Sequence, residues 1–261
     1  MHAHQFTWHN NELMDGDAAL MVRHLSPERV SRLGYMNLRC HWEPGCPEWL
    51  YPGEVTRNLE KQEQHIIAVQ WAQLFPGEPV PTILSQPCCA QFAVSKERIL
   101  MLPKERYIAL RRWLYDTKLD DYISGRIFEY TWQYLFTGAP IDCPSISACY
   151  CDGYGLCLGS PEAYDLWMEL RHWLGELRSE LLSWWEKADL VEQFRKNSRG
   201  GSGKVPAQFI PVKGRDAVLE YNITATWSRM KQMRNDGYEL GKDPAQRALE
   251  AGRPWKAGDG Y

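Results

Sequence analysis

The chain has 261 residues, 44% of them hydrophobic and 24% charged, which suits one substantial globular domain with an appendage. The net charge of −3 lacks the basic excess of a nucleic-acid binder. No run of about 18 apolar residues offers a membrane span, and Met1-His-Ala-His-Gln5 has no signal-peptide pattern.

Twelve Trp and thirteen Tyr are many for this length. Most belong in a core, and the rest offer a platform for sugar rings or other flat ligands. Eight Cys is an even count, although the chain is too long for a pure disulfide scaffold. Four disulfides of a secretory lumen and a reduced protein with buried thiols both remain open at this point.

Along the chain, His2 and His4 are two residues apart and share a face if extended, with His9 following. Neutral imidazoles suit Zn or Mn; a hydrogen-bonded or frayed terminus is the plainer reading. Asp17 to Leu25 reads as a short helix. Ser26-Pro27 caps and opens a second, which Gly34 ends. Tyr35 to Arg39 reads as a strand, and His41 to Trp49 as a loop punctuated by Pro44, Gly45 and Pro47. Cys40 and Cys46 either close this loop as a small ring or stay as two thiols. Glu60 to Phe75 predicts a helix with Ile66, Val69 and Ala72 (or Leu74) inward, stopped by Pro76-Gly77. Cys89 to Val94 predicts a strand buried on both faces.

Ser95 caps the next helix and Pro103 opens another, with Tyr107, Leu110 and Leu114 on one side. The spacing then predicts a single helix over 121–136, ended by Gly138, with Ile123, Ile127, Tyr130 and Tyr134 aligned. Arg126 and Glu129, three apart, are neighbours on its surface. They are either an ordinary ion pair or a carboxylate oriented by an arginine at a cleft. Cys143 to Cys157 reads as an aperiodic loop, and its cysteine spacing favours disulfides over zinc.

Ser160-Pro161 opens the longest helix. In it Ala163, Trp167, Leu170, Leu174, Leu177, Leu181, Trp184, Ala188 and Val191 form a heptad seam. Arg199 to Lys204 reads as a linker rather than a phosphate loop. Asp216 to Met233 predicts one more helix, which carries the sequon Asn222-Ile-Thr224. The remainder reads as a flexible tail. The expected division is 1–160, 161–197 and 198–261.

The blocks Trp8-His-Asn-Asn11, Gly34-Tyr-Met-Asn-Leu-Arg-Cys-His-Trp42, Cys88-Cys-Ala-Gln-Phe-Ala-Val-Ser95, Ser124-Gly-Arg-Ile-Phe-Glu-Tyr130 and Cys149-Tyr-Cys-Asp-Gly-Tyr-Gly-Leu-Cys157 resemble a mainly fungal family, domain of unknown function thirty-four thirty-one. The resemblance covers roughly residues 1–175 and implies a secretory-pathway setting. A weaker similarity, from Phe-Ala-Val-Ser95 through Arg126-Ile-Phe-Glu-Tyr130 to Trp132, is to the acceptor half of GT-A-type glycosyltransferases.

That similarity implies a helix-rich α/β fold with an incomplete GT-A-like mixed sheet, a long C-terminal helix and a tail. It implies transfer from a nucleotide sugar to a glycan or small-molecule acceptor. Glu129, with Asp121 second, becomes the base or acceptor-orienting carboxylate, and Trp8, Asn10, Arg126, Tyr130 and Trp132 the substrate-binding residues. A divalent metal, Mn or Zn, falls to His2, His4 and His9. Family members carry strands ahead of the first block, whereas here Met1 lies inside it. If the chain is a shortened product, the nucleotide half is absent, and such a truncation would leave this glycosyltransferase-like chain inactive in transfer. The alternatives are a non-catalytic, disulfide-stabilised binding module and a metal-dependent hydrolase using the histidines.

Overall fold

A computed structural model describes residues 4–54, 58–197 and 205–261. In chain order its helices are α1 (Ala18–His24), α2 (Pro27–Leu33), α3 (Gln62–Leu74), α4 (Lys96–Met101), α5 (Lys104–Asp116), α6 (Asp121–Glu129), α7 (Trp132–Thr137), α8 (Ile146–Tyr154), α9 (Pro161–Asn197), α10 (Arg215–Leu240) and α11 (Pro244–Glu250). Strands β1 (Tyr35–Asn37) and β2 (Phe92–Val94) pair antiparallel, with Tyr35 opposite Val94 and Asn37 opposite Phe92. The fold is helix-rich α/β. Among the described residues its sheet is this one pair, with isolated bridges Phe6–Asp17 and Leu50–Leu84 antiparallel and Ser85–Ile141 parallel. Among the described residues no helix is long and apolar enough to cross a membrane.

The chain forms two compact units, Met1–Cys157 with Leu240–Tyr261, and Leu158–Glu239. In unit 1 the helix starts follow the capping residues. The Ser26, Ser95 and Asp120 side chains accept the N–H of Arg29, Arg98 and Ile123. Gly34 and Gly138 end α2 and α7 at positive φ. The main core gathers Tyr35, Leu50, Ile67, Trp71, Phe75, Leu84, Trp113, Ile127 and Phe136 from α3, α5, α6, α7 and the β pair.

The strand expected over Cys89–Val94 with both faces buried spans only Phe92–Val94 and is half-buried, and four other features before residue 158 depart from the sequence expectation. First, α3 turns Ile67, Trp71 and Leu74 inward, while Val69 is exposed. The helix is rotated because Glu63 and Gln64 are buried on the same face. Glu63 is paired with Arg126 at 2.6 Å, and Gln64 accepts from the Tyr51 N–H at 2.9 Å. Second, the helix over 121–136 is divided at Tyr130-Thr131, where the Thr131 hydroxyl donates back to the Ile127 carbonyl. Third, the predicted loop 143–157 contains α8, capped by Ser145 and closed by Gly155, with every residue from Ser147 to Tyr154 buried. Fourth, Cys40 and Cys46 do not pair with each other. The bonds are Cys40–Cys149, Cys46–Cys143, Cys88–Cys89 and Cys151–Cys157.

The C-terminal stretch, expected to be a tail, contains α11 and belongs to unit 1. There Arg29, Arg32 and Arg253 surround the buried Asp152 carboxylate, the first two at 2.7 and 2.5 Å.

Unit 2 is built on the heptad seam. Leu177 and Leu181 of α9 pack on Leu219 and Ile223 of α10, so the middle of the stripe is buried within the chain, while Leu170, Trp184, Ala188 and Val191 are half-buried. The Trp167 indole N–H donates to the Met230 carbonyl at 3.3 Å. Asn222 of the sequon sits half-buried on α10. The linker 199–204 lies outside the described residues.

Candidate functional site: an aromatic cavity beside a vicinal disulfide

A cavity of about 310 Å³ in unit 1 is walled by four segments. The N-terminal turn supplies Trp8 and His9, the loop after β1 supplies Pro44 and Trp49, the approach to β2 supplies Cys88, Cys89 and Ala90, and the last turn of α6 supplies Arg126, Glu129 and Tyr130.

Each wall is fixed by contacts behind it. Asn10, buried, donates to the carbonyls of Gln5 and Gly16 and accepts from Gln91, which shapes the turn that presents Trp8. Arg39 lies with its guanidinium carbon 5.1 Å from the Trp8 ring centre and donates to the Glu43 carbonyl at 2.7 Å. Lys61 stands 3.8 Å over the Trp49 ring. The Pro44 loop meets the disulfide segment backbone to backbone, with the Cys88 N–H donating to the Pro44 carbonyl at 3.0 Å. Any side chain at Gly45, whose φ is 128°, would collide with the Gln86 carbonyl.

Glu129 lies at the focus. Its Oε1 accepts the Cys89 backbone N–H at 2.6 Å, and its main-chain carbonyl accepts from the Gln86 side chain. Its Oε2 meets no hydrogen-bond donor among the described residues. Arg126 is committed elsewhere, to Glu63. Burial opposes the Arg126 charge, but the Glu63 hydrogen bond and charge outweigh it and hold its pKa above the ordinary value. The predicted Arg126–Glu129 orientation is thus replaced by a backbone donor, with Arg126 adding only nearby positive charge. Burial, and then the Glu129 charge, push the Tyr130 hydroxyl pKa up, so it stays a protonated donor.

The structure therefore brings Trp8, Arg126, Glu129 and Tyr130 together, with His9 on the same wall. Asp121 lies exposed at the opposite end of α6, about 12 Å away along the helix. Trp132 packs between Phe92 and Phe128 in the core, at ring separations of 5.2 and 5.0 Å. His4 is exposed, the His9 ring nitrogens lie 3.0 and 3.1 Å from the Thr7 hydroxyl, and His2 lies outside the described residues. Two groups among the described residues have ligand atoms close enough for one cation, Cys88–Cys89–Glu129 and Cys151–Cys157–Glu250, and neither contains a histidine. The three-histidine set expected from the sequence includes His2, so that set as a whole falls outside the described residues.

A family model described as Protein of unknown function (DUF3431) matches residues 1–152, more than half the chain. The chain belongs to this family. The match takes in every wall of the cavity, so the cavity is a feature of the DUF3431 domain rather than of the α9–α10 unit. No curated protein and no solved structure matches the chain.

Within the DUF3431 domain, sequence reasoning missed Pro44, Trp49 and Ala90 and the meaning of Cys88-Cys89. Adjacency was the available signal. Neighbouring cysteines that pair with each other close a small ring, and here Cys89 and Ala90 take φ of 84° and 48°, a region that residues other than glycine rarely adopt.

Proposed function

We propose that the cavity holds a sugar ring and that Glu129 takes the proton of its attacking hydroxyl, making the DUF3431 domain the acceptor side of a glycosyl transfer. One observation carries this reading. In an indole-walled cavity Glu129 has one oxygen fixed by the Cys89 N–H and the other free of donors among the described residues. Indoles pack on the apolar face of a pyranose. A carboxylate with one oxygen anchored and one open is placed to accept a hydroxyl hydrogen bond and then its proton. The nucleotide sugar would be the donor, and the four disulfides suit an oxidising compartment.

A second reading is a disulfide-stabilised module that binds the sugar without reacting it. The cross-links around the cavity favour it, because Cys46–Cys143 and Cys88–Cys89 both fasten segments at or next to its walls.

Both readings are tested by saccharide binding, followed by NMR saturation transfer, together with transfer assays using nucleotide sugars. Trp8→Ala is expected to weaken binding about tenfold. Glu129→Gln should keep binding within a few-fold and cut transfer by about 10²–10⁴. Transfer that survives Glu129→Gln removes the proposed base. Binding with no transfer in any protein selects the module, and no saccharide binding at all ends both readings.

A further inference from the structure

The two cysteine–carboxylate clusters differ in access. Cys151 and Cys157 are fully buried and line no cavity described above. The Cys88–Cys89–Glu129 cluster lines the cavity, with Cys89 and Glu129 half-buried, and its three ligand atoms lie within 4.8 Å of one another. Cys89 and Ala90 sit in succession at positive φ, a conformation that L-residues rarely adopt. The short ring and the Glu129–Cys89 hydrogen bond hold it there.

We propose that opening the Cys88–Cys89 bond converts this wall into a site for a soft divalent cation, with both cysteine sulfurs and Glu129 as ligands. A dithiol reductant supplies two electrons and two protons and is itself oxidised to a disulfide, leaving Cys88 and Cys89 as thiols. Cation binding then releases both thiol protons to solvent, and two thiolates and one carboxylate face one ion. Thiolate donors select zinc- and cadmium-like ions over magnesium or calcium. Three protein ligands would leave a fourth tetrahedral position open, as in exchange-competent zinc sites, and all three residues line the cavity. The inference does not depend on the sugar reading. Where both hold, they exclude each other, since a cation-bound Glu129 cannot receive a hydroxyl proton.

The test uses the full chain with graded phosphine reduction in chelator-free buffer. Alkylation and peptide mass mapping report which cysteines are open. Cd²⁺ is then titrated against the thiolate-to-cadmium charge-transfer band. With Cys88–Cys89 open, the chain is expected to bind about one Cd²⁺; the oxidised chain should give no band. Cys88→Ser/Cys89→Ser should lose the band. Glu129→Gln, with both cysteines retained, should weaken binding on the order of 10–100-fold. A mapped-open pair without a band overturns the proposal, as does an undiminished band in the double serine variant. So does a Cys88–Cys89 bond that stays closed when every other disulfide has opened. If the double serine variant does not fold, Glu129→Gln decides alone, and unchanged affinity refutes the site.

Discussion

All eight cysteines fall in unit 1, and Leu158–Glu239 contains none. The helix lengths differ in the same direction. The helices wholly within unit 1 run from six to thirteen residues, whereas α9 has 37 and α10 has 26. Helices of a few turns are marginal alone, so unit 1 fastens them with disulfides and buried ion pairs. Unit 2 needs only one continuous seam. The contrast teaches where function can sit. A cavity assembled from four loop and helix-end segments needs cross-links to hold its walls, while a long helical pair is held by its seam.

The largest expected effect on this contrast comes from Cys40→Ser/Cys149→Ser, which removes a bond spanning 109 residues of sequence. A loss of about 4–5 kcal/mol is expected, seen as lost amide-exchange protection in unit 1. Equal loss of protection in unit 2 would break the contrast. Next is Leu219→Ala, which empties a fully buried position in the seam. It should cost about 2–4 kcal/mol in the exchange protection of α9 and α10. A change of less than about 0.5 kcal/mol would mean the seam is not what holds unit 2.

The smallest effect is electrostatic. Burial raises the Asp142 carboxyl pKa above its ordinary value, with Arg29 working against that shift. The folded state therefore holds the proton more tightly than the unfolded chain. The resulting stability is complete below the unfolded value of about 4 and is lost as pH rises through the higher folded value. Asp142→Asn should flatten that part of the urea-unfolding profile and match or exceed the wild type at neutral pH. A variant that is weaker at neutral pH than in acid would contradict the sign.

Much of the fold was legible locally. Ser26 and Ser95 marked helix starts, and Gly34 and Gly138 marked ends, because these residues satisfy or terminate backbone groups through their own chemistry. The errors arose where tertiary partners decide. Glu63 and Gln64 are buried only because Arg126 and the Tyr51 N–H meet them, and no periodicity within α3 records that. The break at Tyr130-Thr131 has neither Pro nor Gly to announce it. Helix α8 was obscured by Cys149, Cys151 and Gly153, residues common in loops, and cysteine pairing depends on the finished fold.

At the site, Trp8, Arg126, Glu129 and Tyr130 were legible from the ordered blocks. Trp49 was not, since its loop is fastened by the distant Cys46–Cys143 bond, and of the disulfide wall only the adjacency of Cys88 and Cys89 could be read.

The backbones of Gly155 and Gly241 touch so closely that a side chain on Gly241 would strike the Gly155 carbonyl. The chain thus departs from unit 1 and re-enters it at nearly the same point. Unit 2 is an insertion whose two ends are pinned as neighbours by its host. Because closing a loop between fixed ends costs only logarithmically more as it lengthens, the insert can grow or shrink in evolution at little thermodynamic cost to the host. The DUF3431 cavity and the length of the α9–α10 excursion can therefore vary as separate traits.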